Sequence, residues 1–374
     1  GSLVFLRLRG IRSRGLRMYA LFWICLAYLT YVYLGYAGVS LLLAAFRKRR
    51  RIVDTSAYKP LVSLIISAHD EEAVIENRIQ NALESDYPID RLEIIVVSDG
   101  STDATVAIAR SFTGANVRVV ETPGRIGKSR AQVMGIEAAR GEILIFSDAN
   151  SMYKSNAFGL LVAAFADTTV SCVCGRLIYE TGSADSLARQ ERFYWNYETW
   201  VKRAEVKVGG VVIGNGSIYA VRTERYVPVP AYTAADFLEP LLLLARGGRV
   251  TYEWSAIAVE ELDGSLYQEY ARRHRTVLLG ITSLLSHAEV LNPFRYPLMS
   301  FQLNSHKVMR WFAPIVQLAL FGATSAIVVV SSVGPFISGF FYAQIAFLLL
   351  AVIVLVFAPQ CERLAFLRIP SFFF

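Results

Sequence analysis

The 374-residue chain has only four cysteines, Cys25, Cys172, Cys174 and Cys361. They are too few and too scattered for a disulfide framework, which argues against a small secreted scaffold and for a reducing compartment. Cys172 and Cys174 fall in a strand-like stretch and are expected to face opposite sides of it, while Cys25 and Cys361 fall in apolar runs. No signal-peptide pattern opens the chain: the first apolar run is too long for one, and no small-residue cleavage site accompanies it. An initiating methionine is also lacking, and Gly1-Ser2 reads as the scar of a removed tag, outside any fold argument. Internal repeats and low-complexity segments are absent, so repeat architectures are excluded. The most informative lack is charge. Tyr19 to Phe46 holds no charged residue, and neither does Trp311 to Cys361.

These two runs carry the excess in a 54% hydrophobic chain whose mean hydropathy, +0.40, exceeds that of ordinary soluble proteins. The first is long enough for one membrane-spanning helix with some tilt. The second is too long for one span and is divided by residues 331–335, Ser-Ser-Val-Gly-Pro, which implies a helical hairpin. The sum is about three transmembrane helices. Basic residues crowd the flanks: Arg7, Arg9, Arg12, Arg14 and Arg17 before the first run, Arg47 to Arg51 after it. At a net charge of +7, this placement points to anionic headgroups on the cytoplasmic side, and against nucleic acid as a partner. Both flanks of the first run are basic, so orientation rests on the uncharged 331–335 turn. It favours the outside, which puts residues 52–310 inside.

Between the runs, apolar strands alternate with helices. Residues 61–67, 92–98, 117–120 and 143–147 read as strands, with helices at 73–84 and from about 128 to 139. Single helices between strands imply right-handed βαβ units and a mostly parallel sheet. The 143–147 strand ends abruptly in Asp148-Ala149-Asn150. A carboxylate and an amide two residues apart, at the C-terminal end of a buried strand, sit where open α/β sheets bind ligands. Such oxygens suit a hard divalent cation, which takes one or two carboxylates plus substrate phosphates; they also suit an ordinary turn. Further on come a helix at 157–166, a strand at 170–179, an aromatic-rich helix at 185–206, and a glycine-opened strand at 214–221. A leucine-rich helix at 236–246 and short strands at 249–253 and 256–260 follow. Residues 268–291 and 298–310 mix basic and apolar side chains in helical runs that suit the membrane interface; packing on the soluble region gives the same pattern.

Polar residues collect at strand ends or in the loops that follow: Ser67-Ala68-His69-Asp70-Glu71, Asp99, Lys128, Asp148 with Asn150, and Asp236. In this order and spacing they resemble the membrane-anchored family 2 glycosyltransferases of the GT-A, nucleotide-sugar-binding fold, over about residues 60–310. The soluble core is similar to the catalytic domains of hyaluronan, cellulose and poly-N-acetylglucosamine synthases. The implied fold class is α/β, a mostly parallel GT-A sheet with interfacial helices and about three transmembrane helices. Residues 1–51 would form the basic segment and first span (about 19–46), and 52–264 the cytosolic catalytic domain. Residues 265–310 would form interfacial amphipathic helices, and 311–374 the transmembrane hairpin with its apolar end.

The resemblance implies roles residue by residue. Ala68 and Glu71 stand in the first nucleotide-binding loop, where His69 and Asp70 replace the family's usual Tyr and Asn. Asp99 matches the aspartate that contacts the base, a task suited to a group that accepts from base N–H; a helix cap is its plain structural alternative. Lys128 resembles the lysine that faces the diphosphate. A cation gains nothing from a helix N-terminus, so its place fits a bound anion, to which the helix N–H groups add attraction. Asp148-Ala149-Asn150 takes the position of the Asp-x-Asp metal motif and implies Mg²⁺ or Mn²⁺. Asp148 is the expected ligand, whereas Asn150, where the family has a carboxylate, contacts the metal, the ribose or only the backbone. Asp236 looks like the general base that takes the acceptor hydroxyl proton; an N-cap at the helix start is its plain structural alternative. Ala235 replaces the acidic residue usually before it, and Glu239 is the reserve base. Arg272 matches the arginine of Gln-x-x-Arg-Trp and would join the nucleotide-binding set, whereas Glu269 and Arg273 depart from that motif. Lipid headgroups are the other use for Arg272, Arg273 and Arg275. Acceptor contacts are expected from Trp195, Gly175 and Asn215.

The implied protein is an inverting glycosyltransferase. It would move a sugar from a nucleoside-diphosphate sugar, by resemblance a UDP-sugar, to a membrane-associated or lipid-linked acceptor in envelope or extracellular glycan biosynthesis. It would sit in the cell (inner) membrane as a multi-pass protein with its catalytic domain in the cytoplasm. Its partners would be the donor, a lipid-linked or glycan acceptor and membrane lipids; a homo-oligomer is compatible with the sequence. Processive polysaccharide synthesis is the alternative, weakened by Arg273 where processive relatives carry Trp and by the small number of spans. Ala235 and Asn150 motivate a non-enzymatic alternative, a nucleotide-binding membrane receptor or scaffold.

Overall fold

Runs of aliphatic residues that send alternate side chains to two covered faces build the central sheet. The computed structural model describes residues 2–47, 58–112, 114, 116–180, 186–210, 214–261, 266–330 and 334–356. The strands are β1 (Val62–Ala68), β2 (Leu92–Ser98), β3 (Val117–Glu121), β4 (Ile143–Asp148), β5 (Met152–Tyr153), β6 (Val170–Glu180), β7 (Tyr219–Arg222) and β8 (Arg249–Glu261). They form one eight-stranded sheet in the order β3-β2-β1-β4-β7-β6-β8-β5. The β3-β2-β1-β4 half is parallel, as the alternation with helices requires. β7 then runs antiparallel to both β4 and β6, while β6 and β8 are parallel to each other.

Leu64, Ile66, Ile94, Val96 and Ile145 point to one face, where Ile75 and Ile79 of the Ile75–Leu83 helix cover them. Ile65, Ile95, Val97, Leu144 and Phe146 point to the other, against Ala131 of the Lys128–Glu137 helix and Leu243 of the Ala235–Ala245 helix. Each such buried side chain stabilises by roughly 1.5–3 kcal/mol, so a register slip that exchanged the faces would cost many times that. The strands that present the polar loops are therefore rigidly placed.

Several expectations need correction. Cys172 and Cys174 share one face of β6, packed with Val250 and Tyr252, because residues two apart on a strand point the same way. Both thiols are free and fully buried; Cys361 lies outside the described residues. The two short strands expected at 249–260 are one, β8. Its pairing jumps from Cys174↔Tyr252 to Arg176↔Ile257, so an irregularity around Glu253–Ser255 bends the strand without ending it. The strand expected at 214–221 is shorter, Tyr219–Arg222, and residues 214–218 form a loop.

By packing, the chain divides into two units. One is Leu42–Ala184 with Glu191–Gln302 and holds the sheet; the other is Gly1–Leu41, Asp185–Gln190 and Leu303–Phe374. In the second, Phe22, Cys25, Leu320, Ala323 and Ile327 bury one another, and the Phe22 ring meets Phe340 edge-on at 5.4 Å. Tyr31 and Ser305 share a 2.8 Å hydroxyl hydrogen bond where each helix loosens into a π turn, at Tyr31–Gly35 and Asn304–Val308. Among the described residues two helices are long and apolar enough to cross a membrane, Leu16–Ala45 and Pro297–Val330. The hairpin's second arm is the apolar helix Pro335–Val356, so two candidate spans are clear and the expected third rests on this arm. The 298–310 segment is the start of the second long helix and not a separate one. Residues 331–333 of the turn used to argue orientation lie outside the described residues.

Candidate active site

The parallel register brings three strand ends together: Ala68 pairs with Ser98, and Ser67 with Asp148. The loops that follow are knitted by side chains. The His69 ring nitrogen Nδ1 lies 2.7 Å from the Asp99 carbonyl, and Thr102 N–H donates to Asp70 Oδ1 at 2.7 Å. Glu71 N–H donates to Thr105 Oγ1 at 2.8 Å, while Glu72 N–H donates to Asp103 and Ala104 N–H donates back to Glu72. The Glu71 carboxyl is half-buried, and burial followed by the charge of Asp148 pushes its pKa up. Glu71 therefore lies within the electrostatic reach of Asp148.

Asp99 is buried, and its carboxylate accepts from Ile126 N–H at 2.7 Å and Gly127 N–H at 2.9 Å. It thereby fixes the approach to the Lys128–Glu137 helix rather than capping the helix after itself. Gly100 makes this possible. Its φ is +69°, and a Cβ there would stand 2.5 Å from Arg125 N, so only glycine fits the close passage of the two loops.

Held in this way, Lys128 reaches across and bonds Asp148 Oδ1 through its ammonium. Partial loss of solvation works against that charge, but Asp148, Asp236 and Glu260 more than offset it and raise the lysine's pKa. Asp236 lies in the first turn of the Ala235–Ala245 helix. Pro240 has no N–H to give the Asp236 carbonyl, and Gly214 packs against that carbonyl instead, where a Cβ would come within 2.0 Å. Gly216 faces the carboxylate itself: a Cβ there would be 3.0 Å from Asp236 Oδ2. The Gly214-Asn215-Gly216 loop thus wraps Asp236 and brings Asn215 beside it.

Glu260, near the end of β8, was not singled out from sequence. It is buried, accepts from Ser151 Oγ at 2.5 Å, and is pushed up in pKa by burial and by Asp148. The signal that would have found it is the Glu260-Glu261 pair closing an alternating strand. Arg272 acts electrostatically on Glu260 and stacks over Tyr179, 4.9 Å from its ring centre, while donating to the Tyr179 hydroxyl.

Other expected residues fall elsewhere. Glu239, the reserve base, is closed off at 1% exposure; Tyr219 O–H and Val227 N–H lie 3.4 and 3.5 Å from its oxygens. Burial pushes its pKa up to about 8. Gly175 is a packing position inside the sheet, where a Cβ would press on Ile218 at 2.7 Å. Asn150 is exposed on the turn, and the side chain of Trp195 lies outside the described residues. Among the described residues no group of three or more His, Cys, Asp or Glu could hold a metal ion. Asp148, with the Glu260 carboxylate near it, is a donor set of the kind Mg²⁺ or Mn²⁺ uses when phosphates complete its shell.

Residues 63–224 match the model of the family described as Glycosyl transferase family 2. The chain classes as a family 2 glycosyltransferase. The fold of the chain is similar to that of the mannosyltransferase PcManGT from Pyrobaculum calidifontis, solved with GDP-Man and Mn²⁺. The TM-score is 0.70 at 22% identity, covering 92% of this chain and 97% of that one. Among curated relatives it is 32% identical over 123 residues to the probable glycosyltransferase YdaM of Bacillus subtilis, covering 31% of this chain and 29% of that protein. It is 25% identical over 163 residues to the beta-monoglucosyldiacylglycerol synthase of a Nostoc species, covering 42% of this chain and 35% of that one. The chain thus spans about a third of the length of these two relatives.

Proposed function

We propose that the chain transfers a sugar from a nucleoside-diphosphate sugar to a membrane-associated or lipid-linked acceptor, with inversion at the anomeric carbon. The observation that carries this reading is the Lys128 ammonium, bonded to Asp148 at the end of a parallel strand and drawn electrostatically by Asp236 and Glu260 as well. Ala68, Glu71 and Asp99 would border the nucleoside. Lys128 and Arg272 would draw the diphosphate, Lys128 exchanging Asp148 for phosphate oxygens. Asp148 would hold a Mg²⁺ or Mn²⁺ ion, which when bound neutralises charge developing on the leaving diphosphate. Asp236 would take the acceptor hydroxyl proton as the new bond to the anomeric carbon forms and the bond to the diphosphate breaks. Asn215 would meet the acceptor, since it stands beside Asp236.

A membrane-held acceptor is supported by the two apolar helices and by the Nostoc relative, whose name describes a glycolipid synthase. In this reading the protein is a multi-pass membrane enzyme with its sheet unit in the cytoplasm. A UDP-sugar is the donor tried first, and the GDP-Man of the PcManGT complex adds GDP-sugars to the screen.

The test is nucleotide release from UDP- and GDP-sugars by the detergent-solubilised chain with Mn²⁺ and a lipid extract. Asp236→Asn is expected to lower turnover by roughly 10²–10⁴ while nucleotide binding stays near wild type. Undiminished turnover would remove Asp236 as base. Nucleotide binding without turnover of any donor would favour the receptor alternative motivated by Ala235 and Asn150.

A further inference from the structure

Arg78, on the Ile75–Leu83 helix, heads the largest fully buried side chains of the described residues, with 0% exposure. No carboxylate pairs with it among those residues. Nε donates to Ser147 Oγ at 3.1 Å, Nη1 donates to Asn81 Oδ1 at 3.1 Å, and the guanidinium carbon lies 4.4 Å from the centre of the Tyr153 ring. Nη2 has no hydrogen-bond partner among the described residues. Burial lowers its pKa to about 10, which still leaves it charged at neutral pH. An unpaired buried charge costs several kcal/mol, and well-packed apolar side chains commonly do as well or better for stability. Packing alone therefore does not explain an arginine here.

Its contacts outside its own helix converge on one segment. Ser147 precedes Asp148, and its hydroxyl passes the bond on by donating to the Asp148 carbonyl at 3.0 Å. Tyr153 closes the turn that Asp148 opens. Asn81, one helical turn from Arg78, grips that end in both directions: Nδ2 donates to Tyr153 O at 2.9 Å, and Oδ1 accepts from Tyr153 N–H at 2.8 Å. The Tyr153 hydroxyl lies 3.1 Å from Phe146 O and 3.0 Å from Ser217 O, which ties the far end of the turn back to β4 and to the Gly214–Ser217 loop. A charged donor strengthens each bond in such a chain.

We propose that Arg78 and Asn81 are positioning residues that lock the Asp148–Tyr153 turn, so that Asp148 meets the divalent cation and the diphosphate in one fixed orientation. The inference rests on the glycosyltransferase reading above. Outer-shell partners of metal ligands commonly change affinity by about 10–100-fold when removed, and the same scale is expected here.

The experiment measures Mn²⁺ binding by electron spin resonance, with UDP or GDP present, on the full detergent-solubilised chain. Asn81→Asp keeps an acceptor for Tyr153 N–H but removes the donor to Tyr153 O; Arg78→Lys keeps the charge but loses the fork. Each variant is assayed well below its own melting temperature, so that a purely stabilising role would leave Mn²⁺ affinity unchanged. A loss of about tenfold or more in both, with kcat reduced more than donor KM is raised, supports the proposal. Folded variants with affinity and kcat within twofold of wild type overturn it. Wild type that binds Mn²⁺ with neither nucleotide would instead defeat the underlying glycosyltransferase reading, a distinct result that also removes the proposal.

Discussion

The Lys128 ammonium and the Asp148 carboxylate form an ion pair, one from the start of a helix and the other from the end of β4. With side chains 46% and 32% exposed, such a pair contributes about 0–1 kcal/mol to stability. Its value lies in what can replace either partner. Lys128→Met is therefore expected to melt close to wild type but to bind UDP or GDP at least about tenfold more weakly, the loss of one charge-assisted contact. Isothermal titration with nucleotide and Mn²⁺ measures this. Unchanged nucleotide affinity would take Lys128 out of the diphosphate site.

Gly100 provides a test of the loop that carries Lys128. Alanine there must adopt φ +69° and place its Cβ 2.5 Å from Arg125 N. A cost of roughly 1–3 kcal/mol is expected from the backbone strain alone, together with loss of the Asp99 bonds to Ile126 and Gly127. The readouts are melting temperature and proteolytic cutting at 122–127. If Gly100→Ala is as stable and as protease-resistant as wild type, the close passage of the two loops is not a constraint.

The parallel half of the sheet was legible because its strands are unbroken apolar runs; Asp148 was legible because it ends one of those runs, and Lys128 because it opens a helix just after a glycine loop. Glu260 was not. It reaches the site through the pairing of β6 with β8, strands far apart in sequence whose register shifts midway, and no local pattern encodes that shift. Asp236 and Glu239 show a second limit. Their spacing puts them on one helix face, but only tertiary packing decides that Tyr219 and Val227 close over Glu239 while Asp236 stays open beside Gly216. The misplacement of Cys172 and Cys174 was of another kind, an error of strand period that the sequence itself could have corrected.

Gly216 tests whether Asp236 needs its present position. A Cβ at residue 216 would lie 3.0 Å from Oδ2 and 3.2 Å from Cγ of Asp236, close enough to displace the carboxylate without disturbing the sheet. Gly216→Ala is expected to lower kcat by about tenfold or more, as small misplacements of reacting groups do, with donor affinity near wild type. Steady-state kinetics and nucleotide titration separate the two effects. A kcat equal to wild type would mean that the glycine loop does not set the base.

Glu239 gives a pH dependence whose sign is fixed by its burial. Its folded pKa is raised to about 8, whereas an unfolded glutamate titrates near about 4.3. Between these values the folded protein keeps a proton that the unfolded chain has released. Stability is therefore fully present below the unfolded value, falls as pH rises toward about 8, and levels off above it. Glu239→Gln cannot ionise and is expected to lack this slope. Its melting temperature should lie near that of wild type at about pH 5 and above it at about pH 9, since the variant never has to bury a carboxylate beneath Tyr219. Thermal unfolding of both proteins across that range measures the difference between the two curves. Parallel curves would mean that Glu239 ionises as readily in the folded protein as in the unfolded chain, and would overturn the raised pKa.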